Sequence, residues 1–198
     1  MQKLILPINK CKITASPKTN AYKNRFGFEH YGTDMVSTSL SRTVWASGDG
    51  VVLSAGNDLV FGNCVTVVYY DCLNHRTKEV CDLVVRYFHL KSISVKVGQK
   101  CDINTKLGVY GNTGKYSFGA HLHVTADLDC KYFNYEPGLY KNSNIIKRGN
   151  SKTVVNAFDF FHRKVTSPEC QTLTRDSVSE FNGEKYTTAQ DISVPTVI

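Results

Sequence analysis

The chain has 198 residues, 41 % of them hydrophobic, and 24 Lys and Arg against 17 Asp and Glu leave a net charge of +7. That length and apolar content support a buried core in a single soluble, globular domain. The surplus suits an anionic polymer such as a cell wall, a membrane surface or nucleic acid without choosing among them. The basic residues are scattered, with neither a Lys/Arg run nor a nucleic-acid-binding module, so a solvated basic surface is the favoured reading and nucleic acid is not an expected partner.

Residues 1 to 29 read as mostly irregular, broken by Pro7, Pro17, Asn20 and Gly27, and lead as a loop into His30-Tyr31-Gly32-Thr33-Asp34. The opening apolar run, Leu4-Ile5-Leu6-Pro7, is too short for a signal peptide, and no stretch approaches a membrane span. Strand signals follow at Val44 to Ala46 and Val51 to Ser54, either side of a turn at Ser47 to Gly50. Val65 to Tyr70 and Leu83 to Leu90 read as an antiparallel pair joined by a polar turn with Asn74, His75 and Arg76. Val95 to Lys100 is a turn between extended segments, and Leu107 to Tyr110 leads into the Gly111-Asn112-Thr113-Gly114 turn. The strand Gly119-Ala120-His121-Leu122-His123-Val124 comes next. After a Tyr-, Asn-, Pro- and Gly-rich loop at Lys131 to Asn150, Val154 to Arg163 shows one apolar face at helical spacing and is the one helix expected. From Thr166 the chain is polar and Ser/Thr-rich. The expected organisation is therefore an all-β domain over 1–165, mostly antiparallel with an open groove and one minor helix, and a tail or small appended element over 166–198.

Seven cysteines, Cys11, Cys64, Cys72, Cys81, Cys101, Cys130 and Cys170, are too odd a number for a complete disulfide framework and contain no C-x-x-C pair. Most lie in or beside apolar strand-like runs, where a reduced cysteine behaves as a small buried hydrophobe, as in a protein made in a reducing cytosol. His75 in its polar turn and His162 at a helix end, where a cation suits the dipole, read as ordinary surface residues.

His121 and His123 alternate with Leu122 on a strand, so both rings face the same way. Two imidazoles on one face are a poor core, because each carries a donor and an acceptor that burial leaves to be paired. With His30 and Asp34 they make a His/Asp/His metal site and one spare histidine. Three N/N/O ligands would leave a fourth zinc position to water, whose pKa zinc lowers to about 7, and a neighbouring histidine could carry the proton to a leaving amine.

Three motifs in order resemble those of the lysostaphin/LytM-type zinc endopeptidases, which cut the peptide part of bacterial peptidoglycan. His30-x-Gly32-x-Asp34 matches H-x-G-x-D, Tyr87-Phe88-His89-Leu90 matches Y-x-H-L, and His121-Leu122-His123 matches H-x-H. The resemblance spans about residues 28–126 and includes lesser echoes at Trp45 to Val52, Val97 to Lys100 and Gly111 to Gly114. It implies one Zn2+ on His30, Asp34 and His123, with His89 and His121 as unligated catalytic histidines and peptidoglycan as substrate. The family also holds degenerate members that only bind or activate, so a silent wall-binding or activator module is the alternative; the occupied five positions argue against it. A cysteine peptidase is disfavoured, since no cysteine sits at a helix start beside a histidine. The loop Lys115 to Ala120 departs from the family in length and in having Ala120 where proline is common. It flanks the site with Tyr31, Tyr116 and Phe118, which are candidates for a substrate groove. Synthesis without a signal peptide fits release by phage-type lysis or carriage on a phage particle, with action at the wall.

Overall fold

The computed structural model describes residues 1–139, 141–149, 152–167 and 172–175. The strands are β1 (Leu4–Ile5), β2 (Lys10–Ala15), β3 (Thr33–Ser37), β4 (Thr43–Trp45), β5 (Gly50–Asp58), β6 (Gly62–Leu73), β7 (Val80–Ile93), β8 (Lys100–Cys101), β9 (Lys106–Tyr110), β10 (Leu122–Asp127), β11 (Tyr135–Glu136), β12 (Lys147–Arg148), β13 (Val154–Val155), β14 (Phe161–His162), β15 (Lys164–Ser167) and β16 (Thr172–Thr174). One helix, α1 (Asn20–Phe26), joins β2 to β3. The expected all-β class holds: one antiparallel sheet runs β15-β16-β2-β3-β10-β7-β6-β5-β8, with β13 beside β10 and a β4–β9 ribbon on β7.

The register separates two faces. Val65, Val67, Tyr69, Val85, Tyr87, Leu122, Val124 and Met35 fill the main core, where the Tyr69 and Tyr87 hydroxyls bond one another at 2.8 Å and Ser47 completes the pairing. On the other face Thr66, Arg86 and Thr125 stand in line, as do Phe88 and His123. Residues 128–139 and 141–149 cover that face. Ile146 packs on Cys64 and Phe88, with Phe61, Leu139 and Ile145 around them. Two buried charges hold the covering segment down. The Asp58 carboxylate accepts from the amides of Val60, Phe61, Ile145 and Ile146. Arg86, fully buried, donates to Phe133 O (2.6 Å), Glu136 Oε2 (3.0 Å) and Asp127 Oδ2 (3.0 Å). Two carboxylates thus share one guanidinium, and burial pushes Glu136 up to about 7.

Two local expectations fail. Val154 to Arg163 is not a helix but β13, a 3-10 turn at Ala157–Asp159 and β14. Residues 157–163 are all buried, so no polar face exists, and the Asn156 side chain accepts from Phe158 N to form a turn. Phe161 and His162 pair instead with Leu4 and Ile5. His162 accordingly is not a cation at a helix end: burial first, then His75, push it down to about 3. Residues 1–29, expected to be mostly irregular, supply β1, β2 and α1. α1 buries no residue and ends on Gly27 at φ 79, so its seven residues give no long apolar period to read. The expected 166–198 tail is described only in part, where β16 pairs with β2; Cys170 lies outside the described residues. The other six cysteines are free thiols, four of them buried. Among the described residues no helix is long and apolar enough to cross a membrane.

Candidate metal centre

Asp34 on β3 lies directly across from His123 on β10, so the carboxylate and imidazole share a face as cross-strand partners. Asp34 Oδ1 is 2.8 Å from His123 Nδ1 and 3.2 Å from His30 Nε2, and the two ring nitrogens are 3.0 Å apart. His30 is delivered by the loop that crosses over β10, and Gly32 makes that crossing possible. A Cβ there would stand 2.5 Å from His123 Nε2 and 2.6 Å from Val124 O. The glycine of the first motif is thus a packing requirement of the site itself.

His89 reaches the same face by a local break in strand geometry. Phe88 pairs with His123, so regular alternation would turn His89 into the main core. The backbone instead takes φ +60 at His89, and the β6 register slips between Asn63 and Val65, so two consecutive β7 residues face one side. The His89 ring then lies 4.8 Å from that of His121 and 5.9 Å from that of His123. His121 Nε2 is 3.6 Å from Asp34 Oδ1. All five expected residues therefore converge.

Backbone carbonyls set the ring orientations. His30 Nδ1–H donates to Ser16 O (3.1 Å), His89 Nδ1–H to Thr113 O (2.8 Å) and His121 Nδ1–H to Gly119 O (2.7 Å). A carbonyl only accepts, so each of these rings carries its proton on Nδ1 and turns a lone pair on Nε2 to the site. His30, Asp34 and His123 thus bring acceptor atoms within 4.8 Å of one another. A cation would bridge all three. Tetrahedral ligands ~2.0–2.1 Å from zinc stand about 3.3 Å apart, close to the separations seen, and N/N/O is a donor set zinc takes.

Burial lowers the basicity of His123 and opposes protonation of His30, but Asp34 outweighs it at His30, which ends above its ordinary value. Burial would raise Asp34; the two histidines hold it well below the carboxylate range instead. Burial, then His123 and His121, push His89 down to about 3. His89 is therefore neutral at pH 7.

Several site residues escape sequence reasoning. Tyr22 of α1 stacks on His30 at 4.2 Å. Asn112 accepts from Gly119 N and Ser117 Oγ and so fixes the carbonyl that orients His121. Arg86, across from Thr125 on β10, carried a usable signal: a lone charge within Val84-Val85-Arg86-Tyr87-Phe88 points to a buried ion pair. Tyr116 and Phe118, expected beside the site, are there and exposed, at 43 % and 75 %.

Comparison with known proteins agrees with this geometry. Residues 28–135 match the model of Peptidase family M23. Over 127 residues, 64 % of this chain and 30 % of the relative, the chain is 33 % identical to an uncharacterized metalloprotease of Buchnera aphidicola. Over 94 residues it is 36 % identical to the peptidoglycan DD-endopeptidase ShyA of Vibrio cholerae, covering 48 % of this chain and 19 % of that one. The chain thus spans a third or less of these curated relatives. Among solved structures, a zinc-containing peptidase from Vibrio cholerae superposes with TM-score 0.50 and 26 % identity, over 63 % of this chain and 36 % of that one. Since the matched residues make up more than half of the chain and contain every side chain of the converging cluster, the chain belongs to Peptidase family M23.

Proposed function

We propose that this chain is a zinc metalloendopeptidase that hydrolyses peptide bonds of bacterial peptidoglycan, in the cross-bridge or the stem peptide, and acts at the cell wall. The observation that carries the reading is the convergence of His30 Nε2, Asp34 Oδ1 and His123 Nδ1 on one point, beside two further histidines that do not join it. His30, Asp34 and His123 would hold one Zn2+, and the metal, when bound, supplies a Lewis acid for the amide carbonyl and an acidified water. His89 and His121 are the proton carriers. Both have Nδ1–H tied to a carbonyl, so a proton accepted at Nε2 gives an imidazolium that can pass it to the leaving amine or hydrogen-bond the oxyanion. The low basicity of buried His89 makes it a poor resting base and a strong acid once charged. His121 is the more exposed of the two, with Nε2 3.6 Å from Asp34 Oδ1.

The peptidase domain is assigned to 1–165, with the motif core at 28–126. The likeness to a peptidoglycan DD-endopeptidase supports the substrate class, and the full set of five residues favours catalysis over a silent wall-binding module. The test is hydrolysis of purified walls by the full chain, followed by release of new amino termini. Chelation should abolish it and zinc restore it; hydrolysis that survives verified metal removal contradicts the reading.

A further inference from the structure

Two segments that lead into the candidate metal centre meet beside it. One, residues 17–29, runs into His30; the other, residues 112–120, runs into His121. They touch through side-chain rings. Phe26 lies parallel to Phe118, within 7°, at 6.2 Å, and Phe28 meets Tyr116 edge-on at 6.3 Å. Tyr22 links this arch to the centre by packing on Phe26, Phe28 and His30. Among the described residues no hydrogen bond or ion pair joins the two segments, and α1 buries nothing. A contact made only of apolar, part-exposed rings is the kind that parts cheaply.

The charges around the arch are one-sided. Residues 17–29 and 112–120 contain Lys18, Lys23, Arg25 and Lys115 against a single acid, Glu29, which Lys23 takes at 2.9 Å. Arg25 lies over Phe26 at 5.3 Å and Lys115 over Tyr116 at 5.6 Å, so each jaw presents an aromatic ring with a cation on it. We propose that Phe26, Phe28, Tyr116 and Phe118, with Arg25 and Lys115, form a two-jawed subsite for a carboxylate-bearing segment of the peptide substrate. The rings cover its backbone and small side chains, and the cations take its carboxylate. This rests on the peptidase reading and adds to it a preference for free carboxylates over amidated ones.

The probe is a short dansylated peptide of small neutral residues with one side-chain carboxylate, paired with the same peptide carrying a carboxamide there. Binding to the zinc-loaded full chain is followed by stopped-flow anisotropy before turnover. The carboxylate peptide should bind about tenfold more tightly, the scale two exposed ion pairs can supply, and salt should erode the difference. Arg25→Gln with Lys115→Gln should bring the ratio to about one, while Phe118→Ala should weaken both peptides and keep the ratio. Equal binding of the two peptides by the unaltered chain, or an unchanged ratio in the double variant with native circular dichroism, overturns the subsite. Because this assay contains no cleavage step, a zinc-loaded chain that discriminates yet leaves walls uncut would overturn the peptidase reading instead.

Discussion

Gly32→Ala is the smallest change that should disable the centre without touching a ligand. The added Cβ would sit 2.5 Å from His123 Nε2, 2.6 Å from Val124 O and 2.7 Å from Thr125 Cγ2, where ordinary contact begins at 3.4 Å. Relief needs a displacement of about 0.9 Å, and two of the three neighbours are ring and backbone of β10, which is paired to β3, β7 and β13 and does not yield. The loop must therefore lift, carrying His30 away from His123 and Asp34. Overpacking of this kind costs about 1–3 kcal/mol. Metal ligands tolerate only about 0.2 Å, so zinc affinity should fall by more than tenfold as well. Zinc held by the assembled site would stabilise the native state, so the variant's loss of stability should be larger with zinc present than in its absence. Urea denaturation of both proteins, each with zinc and with chelator, reads the two quantities separately. A Gly32→Ala protein with unchanged midpoint and unchanged zinc affinity would refute the packing argument.

At His89, the left-handed backbone reverses the usual strand preference: His89→Gly should be more stable than His89→Ala by about 1 kcal/mol in chemical denaturation, while both keep zinc and lose on the order of 10²–10⁴ in wall hydrolysis. Arg86→Met leaves Asp127 and Glu136 buried without their cation and should cost about 3–5 kcal/mol at pH 8. The same variant should lose less at pH 6, below the raised Glu136 value of about 7, because that carboxyl is then neutral; equal losses at both pH values would contradict the shared-cation reading. For the metal-free chain, His162 is held near 3 when folded against an ordinary 6.5, so its contribution is complete above pH 6.5 and is lost as pH falls, by about 1.4 kcal/mol per pH unit. Denaturation midpoints between pH 7 and 5 should decline accordingly, and His162→Phe should make that decline shallower without abolishing it, since His89 is also held near 3.

The candidate metal centre was legible because its chemistry is local in sequence: His30 and Asp34 sit four residues apart around a glycine, and His121 and His123 share a strand face. The strands beside them were readable too, since Val65 to Tyr70 and Leu83 to Leu90, the latter carrying His89, are long apolar runs with a turn between. What escaped depended on contacts made at long range. α1 has seven residues and no buried face, so it exists through ring stacking on His30 rather than through any period of its own. Val154 to Arg163 has helical spacing by accident; burial of residues 157–163 and pairing with β1 override it. The turn of His89 toward the site is a φ +60 bulge, which a non-glycine residue does not announce. The Arg86 pairing could be suspected from a charge inside an apolar strand, but Glu136 lies fifty positions away on the covering segment.

The central claim is that His30, Asp34 and His123 hold zinc while His121 and His89 do not. Zinc content by mass spectrometry of the purified full chain, compared across the unaltered protein, His123→Ala and His121→Ala with circular dichroism to confirm folding, tests it most directly. The account predicts one zinc per chain in the unaltered protein and in His121→Ala, and loss of the metal in His123→Ala. Zinc stripped by His121→Ala and retained by His123→Ala would contradict it.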